Sequence, residues 1–165
     1  MSDRPTAPPR SGPVFEIVVE AGDWPEQFAL EPLVGEALGA AAAEVKVQPG
    51  ASVTLLFSDD ETIRGLNDRF RGKDKPTNVL SFPVLSGTVP PDEPAPLGDI
   101  ALAFETVSRE SAAEGKSFDH HLAHLIVHGF LHLLGYDHES SHEAEEMEDL
   151  EGRILERLAI ADPYT

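Results

Sequence analysis

The chain has 165 residues, of which 41% are hydrophobic, so it is long and apolar enough to fold as one domain with a proper core. Its formal net charge of −18 argues against a protein that binds nucleic acid through bulk positive charge. The lack of cysteine excludes thiolate ligands and disulfides, and the lack of a long apolar run or signal-peptide core predicts a cytoplasmic protein that does not enter a membrane.

The first third of the chain predicts a tail, two strands and a helix between the strands. Residues 1–13 hold four prolines and little apolar content, so we expect a disordered tail ahead of a single domain over residues 14–165. Val14–Glu20 and Ser52–Phe57 are rich in β-branched and apolar residues and predict strands. Between them the apolar residues follow helical spacing, with Pro32 acceptable only in the first turn.

The middle of the chain predicts a second helix and two further strands. Ser58 and Glu61 form a capping box at the start of that helix. Its predicted buried stripe consists of Ile63, Leu66 and Phe70. Asn78–Phe82 and Asp99–Phe104 predict strands, and the four prolines of Leu85–Leu97 predict a loop between them.

The last third of the chain predicts three helices. Glu105–Glu114 ends at Gly115, and Asp119–Leu134 follows. Ser140 with Glu143 forms a capping box for the last helix. The core-facing residues of that helix are Met147, Leu150, Ile154 and Leu158. The predicted fold class is therefore α/β with an α+β-like arrangement, in which a small mixed sheet of four strands packs with about five helices.

Three histidines at the end of the helix Asp119–Leu134 have the spacing of metal ligands. His128 and His132 lie one helical turn apart on the same face, where both can bind one ion. Gly135 can adopt the left-handed conformation that ends a helix, so the chain can turn back and deliver His138. Three neutral imidazoles suit one zinc ion per chain and leave a coordination position open for water, as in catalytic sites.

The residue after the first histidine separates this site from the zinc peptidases with the same histidine spacing. Metzincins have a glutamate there, which acts as the general base. This chain has Gly129 instead, which carries no side chain to take a proton. We therefore expect a zincin-like metal helix without the usual peptidase chemistry, and keep a metzincin-like zinc peptidase as an alternative.

Further polar residues around the three histidines are candidates for supporting roles. The helix is apolar nearly all round, which predicts that it is buried and that its histidines line a cleft or are hydrogen-bonded inside. His124, one turn before His128, could be a fourth ligand or a supporting partner, although a cleft-lining or capped histidine is favoured. Asp137 either orients a ligand imidazole or caps the turn. The histidines expected at the surface or around the site are His120, His121 and His142.

A cluster of basic residues is the second candidate for chemistry. Five of the twelve basic residues fall within residues 64–75. They are Arg64, Arg69, Arg71, Lys73 and Lys75. In so acidic a chain, a positive patch beside a metal suits a phosphodiester substrate, whose charge rises toward the transition state. The alternative is an ordinary solvated loop, although this segment leads directly into the predicted strand Asn78–Phe82, which would anchor it to the sheet.

Three motifs of the chain resemble those of a known family. They are Phe70–Pro83 (FRGKDKPTNVLSFP), Leu97–Ile100 (LGDI) and His128–His138 (HGFLHLLGYDH). Together they are similar to the YbeY family of bacterial rRNA maturation endoribonucleases. The similarity runs from about Val53 to Tyr164 and leaves the N-terminal tail outside.

The resemblance implies a single-strand-specific, metal-dependent endoribonuclease that acts in 16S rRNA 3′-end maturation and ribosome quality control. It implies that His128, His132 and His138 hold zinc, which activates a water to attack the phosphodiester. The implied functional arginine is Arg71, which would brace the phosphate oxygens and, with His128, form the catalytic pair. Further substrate contacts are expected from Arg69, Lys73 and Lys75.

The acidity of the chain predicts a protein partner. Long-range attraction to RNA is weak at this net charge, so we expect affinity to come through a basic protein of the small ribosomal subunit. The acidic residues expected to make that contact are Glu143, Glu145, Glu146, Glu148, Asp149 and Glu151. The alternative is an ordinary solvated helix face. No DNA or membrane partner is expected, and a non-catalytic zinc-containing ribosome assembly factor is the remaining alternative function.

Overall fold

The computed structural model describes residues 13–47, 50–83, 96–137 and 140–158. Most of the predicted tail, most of the predicted proline-rich loop and His138 lie outside these ranges. The strands are β1 (Val14–Val19), β2 (Ser52–Ser58), β3 (Val79–Pro83) and β4 (Pro96–Ala103). The helices are α1 (Gln27–Glu44), α2 (Asp60–Arg71), α3 (Phe104–Ala113), α4 (Phe118–Leu133) and α5 (Ser141–Arg157). None of these described helices is both long and apolar enough to cross a membrane.

The strands form one mixed sheet in the order β1-β2-β4-β3, which confirms the predicted α/β class. β1, β2 and β4 run parallel, whereas β3 pairs antiparallel with β4. Parallel neighbours need a crossover connection, which α1 supplies between β1 and β2. The second half of β4, Ile100–Ala103, is buried at every position because helices cover both of its faces.

Helices pack on both faces of the sheet and create two cores. Successive side chains of a strand point to opposite faces, so Ile100 and Leu102 join the larger core with α1, α4 and α5. Ala101 and Ala103 join the smaller core with Ile63 of α2. α4 contacts the sheet, α1, α3 and α5. Polar side chains on α4 therefore need partners within the protein, because little of the helix surface is left to water.

The start and the buried stripe of α2 differ from the prediction. Asp59, rather than Ser58, caps the helix, because its carboxylate accepts from the backbone N–H of Thr62 at 2.9 Å. Ser58 is instead the buried last residue of β2. Phe70 was expected to be buried, but it is 61% exposed. Asn67 takes the inward position and donates a side-chain hydrogen bond to the backbone of the following loop at 2.9 Å.

Other boundaries lie close to their predicted positions, with two exceptions. α1 begins at Gln27, so Pro32 lies inside the helix rather than in its first turn. β4 begins at Pro96, which was assigned to the loop, and the first residue of a strand is a position where proline is tolerated. Ser140 is confirmed as the cap of α5, since its hydroxyl accepts from the backbone N–H of Glu143 at 3.1 Å.

Replacing Asp59 by alanine is expected to lower the free energy of unfolding by about 1 kcal/mol at neutral pH, the usual effect of losing an N-cap. Hydrogen bonds from the side chain and backbone of Thr62 lower the pKa of Asp59. The Asp59 carboxylate therefore stabilises the folded protein fully above the usual aspartate pKa. This stabilisation is lost as the pH falls through the lower pKa that Asp59 has in the folded protein. Urea unfolding of the wild type and the variant measures the difference at each pH.

The control for this variant is Asp68→Ala, which removes an exposed aspartate from the interior of the same helix. We expect it to change the stability by less than about 0.5 kcal/mol. The difference in free energy of unfolding between the wild type and Asp59→Ala should become smaller at about pH 2. A difference of the same size at pH 7 and at about pH 2 would show that the carboxylate of Asp59 is not what caps α2.

Candidate metal centre

The sequence of α4 determines where this helix begins and ends. At its start, the hydroxyl of Ser117 accepts from the backbone N–H of His120 at 3.1 Å. At its end, Gly135 has a φ of 102°. The backbone N–H groups of Gly135 and Tyr136 each donate to a carbonyl oxygen of the last turn at 3.0 Å. This Schellman pattern confirms the predicted helix end and turns the chain back directly after the histidine pair.

The structure brings His128 and His132 together. Their Nε2 atoms are 3.1 Å apart, and their rings are nearly perpendicular at 79°. Two nitrogens that each lie about 2.05 Å from a tetrahedral zinc ion would be about 3.3 Å apart. The pair therefore fits a shared metal ion. His138, the third predicted ligand, lies outside the described residues, within which no group of three potential ligands is found.

A buried carboxylate that was predicted to lie on the surface contacts one ring of this pair, that of His128. Glu151 of α5 is 0% exposed. Its Oε1 lies 2.7 Å from Nε2 of His124, and its Oε2 lies 3.0 Å from Nδ1 of His128. The assignment of Glu151 to the acidic surface was wrong. Helical spacing from the buried residues Met147 and Ile154 places it on the inward face of α5, and that spacing is the signal that could have found it.

The two histidine contacts determine the charge of Glu151. Burial raises the pKa of a carboxyl group because it removes water from the charged form. Hydrogen bonds with His124 and His128 outweigh that effect, and the pKa of Glu151 is lowered to about 2. Glu151 is therefore a carboxylate at neutral pH, and both of its oxygens act only as hydrogen-bond acceptors.

A second, partly buried network connects α4 to the end of the basic segment. His121, which was expected at the surface or around the site, is only 4% exposed. Its Nε2 lies 2.9 Å from Oε1 of Glu110 on α3. The same carboxylate accepts a hydrogen bond from Nδ2 of Asn78 at 3.0 Å. Because Asn78 lies only three residues after Lys75, this network holds the end of the basic segment close to α4.

The five cations of residues 64–75 are not equivalent. Arg64 donates two hydrogen bonds to Asp74, at 2.6 and 3.2 Å, and thereby lowers the pKa of that carboxyl. The other four are exposed: Arg69, Arg71, Lys73 and Lys75. None of the four forms an ion pair with a carboxylate of the residues that the structure describes. Their charges are therefore available to an anion.

Gly129 packs against the sheet and not toward a cleft. A Cβ atom at this position would lie 3.1 Å from side-chain atoms of Ile100 and Ser81 and 3.2 Å from Val79. The hydroxyl of Ser81 also donates to the carbonyl oxygen of Gly129 at 2.9 Å. The chain position that holds the general base in metzincins is therefore turned toward β3 and β4 here, and it has no room for a glutamate side chain. This geometry argues against the peptidase alternative.

The remaining candidate residues take different positions. His124 contacts Glu151 through Nε2, so this nitrogen faces a carboxylate and not a metal. Asp137 is half-buried in the turn that follows α4. His120 and His142 are exposed.

Comparison with known proteins identifies the family. The family model described as Endoribonuclease YbeY matches residues 19–159. A protein of Chelativorans sp. named Endoribonuclease YbeY is 60% identical over 156 residues, which cover 93% of this chain and 96% of that protein. A protein of Rhodopseudomonas palustris with the same name is 56% identical, and the match covers 92% of this chain and 81% of that protein.

A solved structure has a related fold. The solution structure of TM1509 from Thermotoga maritima matches with a TM-score of 0.55 and 25% identity, over 92% of this chain and 99% of that one. The family match begins at Val19, well before the limit near Val53 that the motifs suggested, so it includes all of α1. The chain belongs to the YbeY family, as its motifs predicted.

Proposed function

We propose that the protein is a single-strand-specific, metal-dependent endoribonuclease of the cytoplasm that acts on rRNA of the small ribosomal subunit, in 16S 3′-end maturation and ribosome quality control. Relatives that share more than half of its sequence carry the name Endoribonuclease YbeY. The observation that carries the proposal is the 3.1 Å separation of the His128 and His132 Nε2 atoms. Two ring nitrogens that converge on a well-packed helix suit a metal-dependent hydrolase.

One zinc ion per chain would be held by His128, His132 and His138. Imidazole is a preferred zinc ligand, and the chain has no cysteine that could bind zinc instead. When bound, zinc would supply a water of lowered pKa and polarise a phosphate oxygen. The protein itself fixes the ligands, since α4 spaces the first two rings by one turn and Glu151 holds the ring of His128.

Arg71 would bind the phosphate at which cleavage occurs. It is the last residue of α2 and is exposed, so its guanidinium can reach a strand of RNA. The planar guanidinium can donate to two phosphate oxygens at once, and it stabilises the charge that builds up on them in the transition state. Neighbouring phosphates would be bound by Arg69, Lys73 and Lys75. Arg64 is not included, because Asp74 already occupies its guanidinium.

The acidic face of α5 would contact a basic protein of the small ribosomal subunit. The exposed acids on this face are Glu143, Glu145, Glu146, Glu148 and Asp149. With a net charge of −18, the protein gains little long-range attraction to RNA, whereas a basic protein surface is attracted to this helix. Glu151 is not part of this surface, because it is buried.

Replacing Arg71 by alanine is expected to lower the rate of RNA cleavage about 10²–10³-fold, the usual effect of removing a donor that stabilises transition-state charge. Zinc binding should not change, because Arg71 is an exposed residue of α2 and not one of the proposed ligands. The rate is measured on a single-stranded RNA oligonucleotide under single-turnover conditions. Zinc content is measured on the same samples.

The control is Arg153→Ala, which removes an exposed arginine of α5 that is paired with Glu44. It should cleave RNA at the wild-type rate. Equal rates for wild type and Arg71→Ala would reject the role of Arg71. A loss of cleavage in both variants would point to a general effect of charge on RNA association instead.

A further inference from the structure

We infer that Glu151 is a positioning residue that orients His128 toward the metal by fixing which of its ring nitrogens carries the proton. The inference deepens the proposed function and rests on its metal site. It is carried by the distances between Glu151 and two rings of α4, and by the complete burial of this carboxylate.

The burial of Glu151 needs an explanation beyond stability. α5 turns its apolar residues Met147, Leu150 and Ile154 inward, and Glu151 lies among them with 0% exposure. A carboxylate taken out of water costs several kcal/mol unless it is paired and hydrogen-bonded. An apolar residue at this position would avoid that cost. A buried carboxylate that is held by the rings of two histidines is typical of a functional site.

The contact with His128 determines the tautomer of that ring. Because an ionised carboxylate can only accept, the proton of the hydrogen bond from Nδ1 of His128 to Glu151, 3.0 Å long, belongs to Nδ1. A neutral imidazole has only one N–H, so the lone pair of the ring is then on Nε2. That Nε2 is the atom that lies 3.1 Å from Nε2 of His132. Glu151 therefore prepares the nitrogen that would bind the metal.

The contact with His124 holds the carboxylate in place. His124 precedes His128 by one helical turn, so both rings reach the same side of α4. Nε2 of His124 lies 2.7 Å from Oε1, while His128 contacts Oε2. With a ring on each oxygen, the carboxylate cannot rotate without breaking one hydrogen bond. His124 thus acts by holding Glu151 in place. This role explains why His124 lies near His128 and His132 although it is not a proposed ligand.

Carboxylates that accept from the second nitrogen of a ligand histidine contribute to metal affinity, and their loss typically weakens binding 10–100-fold. The test variant is Glu151→Gln, which keeps the shape of the side chain. Its amide oxygen can accept from only one of the two rings, and its NH₂ group faces the other with a donor. The control is Glu156→Gln, an exposed position on the same helix that loses the same charge.

Two readouts on the full chain test the inference. The first is zinc affinity from chelator competition, for which we expect a 10–100-fold loss in Glu151→Gln and wild-type affinity in Glu156→Gln. The second is the ¹⁵N NMR spectrum of the metal-free protein at about pH 8. It should show the Nδ1–H tautomer for His128 in the wild type, and a mixture of tautomers in Glu151→Gln.

The outcomes separate this inference from the function on which it rests. If the wild type binds no zinc, the metal site and the inference are both overturned. If the wild type binds zinc and cleaves RNA, but Glu151→Gln binds zinc equally well, only the role of Glu151 is rejected. If Glu151→Gln fails to fold, the wild-type spectrum decides, because an Nε2–H tautomer at His128 would overturn the inference by itself.

Discussion

Replacing His132 by alanine is expected to abolish RNA cleavage and to weaken zinc binding more than about 100-fold, beyond the range seen for residues that only support a ligand. His132 provides one of the two Nε2 atoms that converge at 3.1 Å. Its removal leaves an incomplete site, because a catalytic zinc usually keeps three protein ligands. Zinc affinity by chelator competition and single-turnover cleavage of a single-stranded RNA oligonucleotide measure the two effects.

The choice of His132 over His128 follows from the contacts of each ring. His128 is also a hydrogen-bond partner of the buried Glu151, and removing one partner of a buried polar group typically costs about 1–3 kcal/mol of stability, and more for a charged group. His128→Ala would therefore lose activity partly through unfolding. The matched control is His120→Ala, an exposed histidine at the start of the same helix, which should keep zinc and activity. If His132→Ala bound zinc as tightly as the control, His132 would not be a zinc ligand.

Replacing Gly98 by alanine is expected to destabilise the protein by about 3 kcal/mol or more, through backbone strain and a clash that each cost about 1–3 kcal/mol. Gly98 has a φ of 139° in β4, a conformation that residues with a Cβ rarely adopt. An added Cβ would lie 2.2 Å from the carbonyl oxygen of Phe82 and 3.0 Å from the side chain of Leu133. β3 would have to move away from β4, and the end of α4 would be displaced as well.

Urea unfolding measures the loss of stability in Gly98→Ala. Gly65→Ala is the control, and it is expected to increase the stability. Gly65 lies within α2, and nothing lies within 4 Å of the position that a Cβ would take. Alanine there should stabilise the helix by up to about 1 kcal/mol. An unchanged unfolding midpoint for Gly98→Ala would mean that the close approach of β3 and β4 at this residue is not required.

Local signals in the sequence predicted most of the fold and the proximity of the two histidines at the centre of the candidate site. The pairing of His128 and His132 follows from helical periodicity, and the end of α4 follows from Gly135, so neither depends on distant parts of the chain. The order of the strands could not be predicted in this way. β4 lies between β2 and β3, and that position depends on contacts between residues far apart in the sequence.

Two errors show how tertiary contacts override local patterns. Ser58 did not become the cap of α2 because it still pairs with Ala103 at the end of β2, which makes Asp59 the first residue free to cap. Glu151 was assigned to the surface because it stands in an acidic run. Its partners, His124 and His128, lie on another helix, and only the spacing of the apolar residues around it indicated burial.

The most direct test of the proposed metal dependence is cleavage of a single-stranded RNA oligonucleotide by the full chain, first stripped of metal by a chelator and then given one equivalent of zinc. We expect no cleavage by the stripped protein and internal cleavage after zinc is restored, with His132→Ala inactive in both states. RNA that stays intact with zinc bound, or cleavage at the same rate before and after stripping, would contradict the proposed role of the paired histidines.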